Sequence, residues 1–520
     1  MKTGYFLQRA ITFITLTVLG VSGVAGCTTG PDEIDPQWQA TLQITPANLQ
    51  PIQPDVAHSI LSTLLPPTRV PGSPYLTPTP DPTREQPTLR IETLSYYVQP
   101  GDSLAQIAWA HNVSVEALIQ ANQLLNPDVI EVGQLILIPP PTPRGEGPSF
   151  KIIPDSELVN GPLEAIIDFS AWVERQGGRL SSYQMILDEE PYTGAEVLLR
   201  IAREYSVNPR LLAAILEYQS GWVTNANPPA EFEDYPFGYF DPQKSGLYHQ
   251  AAWAANLLNR GYYLWKINAI SGYVLTDGSV VPPSPAINAA TAGVQNLFSH
   301  LYNYDGWLAA VSENGLFSTY RGLYGYPFDF SIDPLLPADL IQPPMQLPFE
   351  PGAVWSFTGG PHGGWGDGSA WAAIDFAPPG GGQGCVPNDA WVTAVADGVV
   401  TYAKNGLVLL DLDGDGLEHT GWTVVYLHIA SYDRVNAGDT LRTGDRIGHA
   451  SCEGGFSTGT HIHLARRYNG EWIAADGDLP FNLDGWISQG AGVEYNGSLV
   501  KSGQSVEALD YRSDANQIWR

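Results

Sequence analysis

Two histidines separated by one residue, His461 and His463, constrain this chain more than any other short stretch. Ile462 and Leu464 interleave with them as apolar residues, so the segment is predicted to be a strand. Side chains two residues apart on a strand project from the same face. Two imidazoles side by side suit one metal ligand and one proton-transfer group. We therefore expect other parts of the chain to supply the remaining metal ligands.

The composition indicates a multidomain, extracellular protein. At 520 residues the chain should form roughly two to four domains. It has 25 Lys+Arg against 54 Asp+Glu, a formal net charge of −29, which argues against binding nucleic acid and against an electrostatically held membrane surface. Charged residues make up only 15%, while glycine (54) and proline (43) are abundant, as in loop-rich secreted proteins. The oligomeric state cannot be predicted.

The N-terminus is predicted to direct and anchor the chain. A basic start followed by the apolar run from Ala10 to Val24, too short to cross a membrane comfortably, predicts that residues 1–26 are a signal peptide. Its end, Val24-Ala25-Gly26-Cys27, resembles the lipobox of bacterial lipoproteins. That resemblance implies a lipidated Cys27 and an extracytoplasmic protein, lipid-anchored to the bacterial cell membrane or outer membrane; an ordinary signal peptide is the alternative. Recurring prolines predict a semi-rigid tether over residues 27–94.

Residues 95–140 are predicted to form a small α+β module of two strands around two helices. The segments Tyr97 to Leu104 and Val132 to Ile136, with Asn122 between them, resemble the LysM domain. LysM domains bind glycans that contain N-acetylglucosamine, such as peptidoglycan, so the resemblance implies a glycan-binding module; the alternative is that its groove residues serve only as caps and turns. The groove is expected at Gly101, Asp102, Ser103, Leu104, Asn126 and Ile130.

Residues 155–340 carry helical patterns and are predicted to form a mostly α domain. The stretch from Tyr205 to Trp222 resembles the lysozyme-like fold of lytic transglycosylases. In that register the catalytic acid position is Gln219, and an amide cannot protonate a leaving glycosidic oxygen. Glu217 lies about 200° away around the helix and cannot take its place. We expect a structural or glycan-contacting domain without transglycosylase activity.

Residues 350–488 change to short β-prone runs separated by glycine turns, which predicts an antiparallel all-β domain. Beside the opening pair, it contains His362 in a glycine-rich loop, Asp375 in an apolar run and His428 at the end of another. Zinc binds His nitrogen and carboxylate oxygen, and its catalytic sites use three protein ligands. These five residues would be enough for three zinc ligands and two further imidazoles that do not bind the metal.

The same residues resemble the lysostaphin-like family of zinc endopeptidases, with the Gly-Gly-x-His loop of its beta-lytic branch. The matching elements are His362 with Asp375, Tyr426-Leu427-His428 and His461-Ile462-His463. The resemblance implies hydrolysis of peptide bonds in peptidoglycan stem peptides or cross-bridges by a zinc-activated water. It assigns one zinc ion to His362, Asp375 and His463, and catalysis to His428 and His461. Which of the two catalytic histidines is the general base stays open.

An acidic run in this domain, Asp411, Asp413 and Asp415, resembles the start of an EF-hand calcium loop. Its twelfth position is Trp422 rather than glutamate, so a hairpin turn is the preferred interpretation and bound calcium the alternative.

The two remaining cysteines, Cys385 and Cys452, could form a disulfide outside the cytoplasm. Residues 489–520 lack a clear pattern and are predicted to be a C-terminal tail without an assigned function.

Three functions follow as hypotheses. The first is a lipid-tethered peptidoglycan zinc endopeptidase with a LysM targeting module. The second is a catalytically silent peptidoglycan-binding scaffold or regulator, and the third is a lytic transglycosylase acting through the middle domain. The complete ligand set favours the first over the second, and Gln219 argues against the third.

Overall fold

The structure is a computed structural model that describes residues 81–380 and 384–520. The predicted signal peptide, Cys27 and the tether up to residue 80 lie outside the described residues and stay predictions. Among the residues that are described, no helix combines the length and the apolar character needed to cross a membrane.

The LysM-like module has the predicted strand–helix–helix–strand order. Its elements are β1 (Leu94–Tyr97), α1 (Leu104–Ala110), α2 (Val115–Asn122) and β2 (Leu135–Ile138). The two strands pair antiparallel, with Leu94 opposite Ile138. Asn122 fixes the last helix to the sheet, because its amide both donates to and accepts from the backbone of Leu137 at 2.7 Å. The α+β prediction for this module is confirmed.

The end of the predicted tether lies against the folded part of the chain. The Lys151 ammonium is 2.5 Å from a carboxylate oxygen of Asp81, and the Arg84 guanidinium lies 4.8 Å from the ring centre of Trp265. Arg90 donates to the carbonyl oxygen of Pro139 at 2.7 Å. These contacts fasten residues 81–94 to both folded neighbours, whereas the proline pattern predicted a spacer throughout.

The middle of the chain is helical, as predicted. Its helices are α3 (Phe169–Gln176), α4 (Arg179–Ser182), α5 (Gly194–Tyr205), α6 (Pro209–Ser220), α7 (Leu247–Lys266), α8 (Ala289–Ser299), α9 (Tyr304–Ala310) and α10 (Leu316–Tyr324), with short 3-10 helices at Asp155–Glu157, Pro162–Ile166, Ala230–Phe232, Pro242–Lys244 and Pro327–Phe330. Two small hairpins complete it, β3 (Gln184–Leu187) with β4 (Glu190–Thr193) and β5 (Tyr273–Val274) with β6 (Val280–Val281). Helix α5 begins with a capping box between Thr193 and Glu196.

The C-terminal domain is built on antiparallel strands, as predicted. They are β7 (Trp355–His362), β8 (Ala373–Ala377), β9 (Trp391–Thr393), β10 (Gly398–Lys404), β11 (Leu407–Asp411), β12 (Trp422–Leu427), β13 (Thr440–Leu441), β14 (Arg446–His449), β15 (Ile462–Tyr468), β16 (Glu471–Trp472), β17 (Asn482–Leu483), β18 (Trp486–Gly490), β19 (Gly497–Lys501), β20 (Gln504–Glu507) and β21 (Gln517–Ile518). The main sheet has the order β13-β10-β11-β12-β15-β8-β7-β21, and β16 also pairs with β15. Strands β9 and β14 form a separate pair, and β17 to β20 form a four-stranded sheet.

The central strands of the main sheet are buried on both faces. Leu407, Val425 and Leu427 pack into the core of the helical domain, whereas their neighbours on the same strands pack into the core of the β domain. This explains why β12 is a continuous apolar run rather than an alternating one. One face of the sheet therefore lies against the helical domain.

Polar contacts reinforce this domain boundary. Arg203 on α5 donates to Glu418 at 2.9 Å, and the Tyr262 hydroxyl on α7 donates to Glu471 at 3.0 Å. The helical and β domains thus share both a hydrophobic core and buried hydrogen bonds.

Residues 489–520, predicted to be a tail, carry regular structure. They include β19 and β20 of the small sheet and β21, which pairs with β7 at the edge of the main sheet. Their strands are short and rich in Gly, Ser and Gln, so no alternating pattern marks them in the sequence.

Candidate metal centre

Strand register brings three predicted ligands together. Asp375 on β8 lies opposite Gly359 of β7 on one side and opposite His463 of β15 on the other, while His362 ends β7. The Nε2 atom of His362 is 2.9 Å from Nδ1 of His463, and these two atoms are 3.3 and 3.4 Å from Oδ1 of Asp375. All three side chains are buried and form one group that could hold a metal ion.

Backbone carbonyls orient both imidazoles. Nδ1 of His362 is 2.8 Å from the oxygen of Gly360, and Nε2 of His463 is 3.1 Å from the oxygen of Gly364. A carbonyl oxygen only accepts, so each of these ring nitrogens carries the hydrogen. The other two nitrogens, Nε2 of His362 and Nδ1 of His463, are then left as lone-pair donors that face each other.

That convergence fits a bound cation. Two lone pairs 2.9 Å apart repel each other, and Oδ1 of Asp375 between them is buried without a hydrogen-bond partner of acceptable geometry among the described residues. Buried polar atoms without partners are costly unless something binds them. Two nitrogens and one carboxylate oxygen are a donor set that zinc prefers, and the residues therefore fit the metal.

Charge perturbs the titration of the three ligands. Burial opposes charge on His362, but the neighbouring Asp375 carboxylate outweighs it and raises the pKa of this imidazole above its ordinary value. Burial would raise the pKa of Asp375, yet His362 and His461 hold it well below its usual range. Burial lowers the pKa of His463. The carboxylate is thus kept ionised, as a metal ligand must be.

Close backbone approach explains the glycines before His362. A Cβ on Gly359 would lie 2.6 Å from the Asp375 carboxylate, and a Cβ on Gly360 would lie 2.7 Å from the backbone of Asn496. Glycine at both positions lets β7 pass beside the carboxylate without displacing it.

The two predicted catalytic histidines lie beside this group. The ring centres of His428 and His461 are 4.6 Å apart, and Nε2 of His461 is 3.7 Å from Oδ2 of Asp375. Each Nδ1 lies against a carbonyl, that of Glu453 at 2.8 Å for His428 and that of Gly459 at 2.7 Å for His461, so both Nε2 atoms are available to accept a proton. Burial and the neighbouring histidines hold the pKa of His428 well below its ordinary value, which keeps it neutral.

The strand with the His-x-His pair begins one residue later than the first histidine. Strand β15 starts at Ile462, so His461 lies just outside the strand that was predicted to contain both histidines. His461 instead forms an isolated bridge with Ser451. Its imidazole nevertheless faces the same Asp375 carboxylate as His463, so the two histidines share one side, as expected.

Residues that the sequence did not single out complete the site. The ring of Tyr495 stacks on His362 at 4.3 Å, and Glu494 accepts a hydrogen bond from the Gly363 nitrogen at 3.2 Å. Both follow the last predicted strand of the domain, in a segment without a pattern. Ser457 lies 3.2 Å from Nδ1 of His461.

A disulfide joins Cys385 to Cys452, whose Cα atoms are 5.7 Å apart. Cys452 directly precedes Glu453, the residue whose carbonyl orients His428. The bridge therefore ties the backbone that orients the predicted catalytic residue His428 to a distant loop.

Replacing both cysteines with serine is expected to lower the free energy of unfolding of the β domain by about 2–4 kcal/mol, because the bridge closes a long loop. The bridged residues are 67 apart in sequence. Differential scanning calorimetry with and without reductant measures the effect, and reductant should lower only the wild-type melting temperature. Equal melting temperatures for wild type and double variant would contradict this expectation.

The predicted glycan-binding residues of the LysM-like module have mixed surroundings. Asp102 accepts from the Tyr96 hydroxyl and from the Gln99 nitrogen at 2.7 Å, and Ser103 caps α1 through the Gln106 nitrogen at 3.2 Å. Gly101 has a positive φ of 91° and turns the chain. These residues do form the caps and turns of the alternative interpretation.

The other three predicted groove residues differ in exposure. Leu104 is only 5% exposed and belongs to the core of the module, so its side chain offers little to a ligand. Asn126 is exposed, and Ile130 is half-buried against that core.

The middle domain shows no carboxylate at the predicted acid position. Gln219 on α6 accepts a hydrogen bond from the Tyr302 hydroxyl at 2.8 Å. Glu217 is engaged elsewhere, because its carboxylate accepts from the nitrogens of Val223 and Thr224 at 2.9 and 3.0 Å. The lysozyme-like interpretation stays a prediction, and the absence of the acid does not favour a transglycosylase.

The acidic run after β11 forms the connection to β12. Asp411 accepts from the nitrogens of Asp413 and Gly416 at 3.1 and 2.8 Å, and Asp415 accepts from the Thr420 hydroxyl at 2.7 Å. The three carboxylates lie close enough together to hold an ion, but oxygens of Asp411 and Asp415 already accept from the turn's own donors. The hairpin interpretation accounts for these contacts.

Comparison with known proteins matches three consecutive parts of the chain to family models. Residues 96–139 match the LysM domain, residues 151–337 match "LasA, N-terminal domain", and residues 372–475 match "Peptidase family M23". The last match contains Asp375, His428, His461 and His463, while His362 lies just before it.

Curated relatives agree with these matches. The chain is 25% identical over 296 residues to Protease LasA of Pseudomonas aeruginosa (strain UCBPP-PA14), which covers 52% of this chain and 66% of that protein. It is 29% identical over 174 residues to the Beta-lytic metalloendopeptidase of Achromobacter lyticus, covering 31% of this chain and 43% of the relative. The chain therefore spans somewhat less than two thirds of the first relative and under half of the second.

A solved structure is similar to part of the chain. This is an M23 metalloprotease, pseudoalterin, from the deep sea, with 23% identity and a TM-score of 0.28 over 35% of this chain and 100% of that chain. The family matches confirm the predicted resemblance to LysM domains and to the family of the lysostaphin-like and beta-lytic peptidases. In order along the chain, the matched segments are thus similar to a LysM domain, a LasA N-terminal domain and a peptidase family M23 domain.

Proposed function

We propose that this protein is a zinc endopeptidase that hydrolyses peptide bonds in the stem peptides or cross-bridges of peptidoglycan. The observation that carries the proposal is the convergence of two lone-pair nitrogens and an unpartnered carboxylate oxygen, from His362, His463 and Asp375. The family match and the relatives named as peptidases support the reaction class. Peptidoglycan as the substrate is supported by the LysM match.

His362, Asp375 and His463 would hold the metal, each through the atom identified above. When bound, a zinc ion supplies Lewis-acid polarisation of the scissile carbonyl and lowers the pKa of a water molecule. His428 and His461 each hold a backbone carbonyl through Nδ1, which leaves Nε2 as the atom that can take a proton from the attacking water. The histidine that gains the proton can then steady the tetrahedral oxyanion or pass the proton to the leaving amine.

The N-terminal half of the chain would bring this centre to its substrate. The LysM domain would bind the glycan strands, through Gly101, Asp102, Ser103 and Asn126 more than through the buried Leu104. A lipidated Cys27 and the proline-rich tether would keep the enzyme at the bacterial cell surface. The middle domain would act as a structural or glycan-contacting domain without hydrolytic activity of its own.

Replacing His428 with alanine is expected to lower kcat by roughly 10²- to 10⁴-fold, the range typical of a lost general base or acid. The variant should still bind one zinc ion per chain, because the His428 side chain is not one of the three that could hold the metal. Metal content by mass spectrometry and single-turnover cleavage of a cross-linked muropeptide measure the two quantities. Unchanged kcat would remove His428 from the mechanism, and a wild-type protein that binds no zinc would overturn the proposed function.

A further inference from the structure

The loop between β7 and β8 connects two of the proposed metal ligands along the chain and hydrogen-bonds the third. This ligand loop, residues 363–372, directly follows His362 and ends three residues before Asp375. Its Gly364 carbonyl accepts the hydrogen bond from Nε2 of His463 at 3.1 Å. A shift of the loop would therefore move or misorient all three ligands together.

Asn256 of the middle domain holds the tip of this loop by two hydrogen bonds, beside a longer one from Arg260 to the Asp367 carbonyl oxygen at 3.4 Å. Oδ1 of Asn256, on α7, accepts from the Gly368 nitrogen at 3.0 Å, and its Nδ2 donates to the Asp367 carboxylate at 2.5 Å. The approach is close: a Cβ on Gly368 would lie 2.0 Å from the Asn256 carbonyl oxygen, and one on Gly366 would lie 2.5 Å from Oδ1. The glycines thus allow the loop to dock directly on this helix.

The start of the loop, next to His362, also packs against a residue at the boundary between the two domains. A Cβ on Gly364 would lie 2.5 Å from the ring of Trp472, so the loop backbone packs flat against this indole. The Trp472 Nε1 atom in turn donates to the carbonyl oxygen of Tyr205, at the end of α5. The ligand loop is therefore supported at its tip by Asn256 and at its base by an indole that the middle domain anchors.

We propose that Asn256 is a positioning residue of the metal centre, which raises the affinity of the site for zinc by fixing residues 366–368 of the ligand loop. This inference rests on the proposed function, because it requires that His362, Asp375 and His463 bind zinc. Groups that orient metal ligands typically change affinity by 10- to 100-fold. Asn256 acts one step further away, through the loop backbone, so its loss should weaken zinc binding by roughly tenfold.

The test compares zinc dissociation constants of full-length proteins, measured by competition with a chromophoric chelator. Asn256→Ala should bind zinc roughly tenfold more weakly than wild type. The matched control is Arg203→Ala, which removes the 2.9 Å contact with Glu418 across the same domain boundary, where no residue of the ligand loop takes part. It should leave the affinity within about twofold of wild type, well short of the change typical of a ligand-orienting group.

A rescue variant separates positioning from a general loss of folding. In Asn256→Asp combined with Asp367→Asn, donor and acceptor change places, while the acceptor for the Gly368 nitrogen is kept. This double variant should recover most of the affinity that Asn256→Ala loses. Any one of three results would overturn the inference while the wild type binds zinc: Asn256→Ala has the wild-type affinity, Arg203→Ala is weakened as much as Asn256→Ala, or the rescue variant does not recover. A wild-type protein that binds no zinc would overturn the proposed function as well.

Discussion

Replacing His463 with alanine is expected to abolish both zinc binding and the release of new amino groups from peptidoglycan. The imidazole supplies one of the three converging ligand atoms, and its Nδ1 is 2.9 Å from the ligand atom of His362. Removing a ligand should cost more than the roughly 10- to 100-fold typical of an outer-shell partner. Labelling the digests with an amine-reactive fluorophore measures the release of amino groups, and the zinc content per chain measures metal binding. A chelator should also abolish the release of amino groups by the wild-type protein.

The matched control for this variant is His249→Ala. His249 is an exposed histidine on α7, in the middle domain, and belongs to no group of metal-ligating side chains in the described part of the chain. It should retain wild-type zinc content and amine release. Full activity in His463→Ala would show that the three converging ligands are not the catalytic centre.

Replacing Arg210 with alanine is expected to destabilise the middle domain by about 3–5 kcal/mol, the cost typical of breaking a buried ion pair. The Arg210 guanidinium lies 2.8 Å from both Glu157 and Glu164, and Glu157 is fully buried. Burial already raises the pKa of Glu157 to about 7, against the pull of Arg210. Without the cation, two carboxylates would be left with no opposite charge between them.

The protonation of Glu157 determines how the destabilisation by Arg210→Ala depends on pH. Protonation makes its carboxyl neutral and removes the need for a cation, so the Arg210→Ala penalty should be smaller near pH 5 than near pH 8. Thermal unfolding followed by calorimetry at both pH values measures it. The control is Arg179→Ala, which breaks a solvent-exposed ion pair with Glu233 and should cost at most about 1 kcal/mol. Equal losses in the two variants would contradict the role assigned to burial.

The sequence predicted the metal centre better than its surroundings. His362, Asp375, His428, His461 and His463 were predicted together because their residue types suit a metal site and the short motifs around them resemble those of a known family. Local patterns also predicted the α+β character of the first module, the helical middle domain and the antiparallel β domain. None of these signals depends on which distant segment packs beside which.

What the sequence could not reveal depends on long-range packing. Tyr495 and Glu494 reach the centre only because the small sheet folds back over β7, and nothing in their own segment indicates this. The apolar run of β12 indicated only a strand of the β domain, and nothing in it shows that a separate helical domain covers one of its faces. Likewise, nothing in the sequence distinguishes Asn256 from other helix residues, because its contact with Gly368 depends on the tertiary fold.

The central claim is peptide-bond hydrolysis in peptidoglycan, and mass analysis of a digest tests it most directly. Purified full-length protein should cleave cross-linked peptidoglycan so that each broken peptide bond adds one water and yields one new amino group and one new carboxyl group, with the glycan chains intact. The masses would also identify the bond that is cleaved. Products with anhydro-sugar or new reducing ends and no new amino groups, or no products from zinc-loaded protein, would contradict the account.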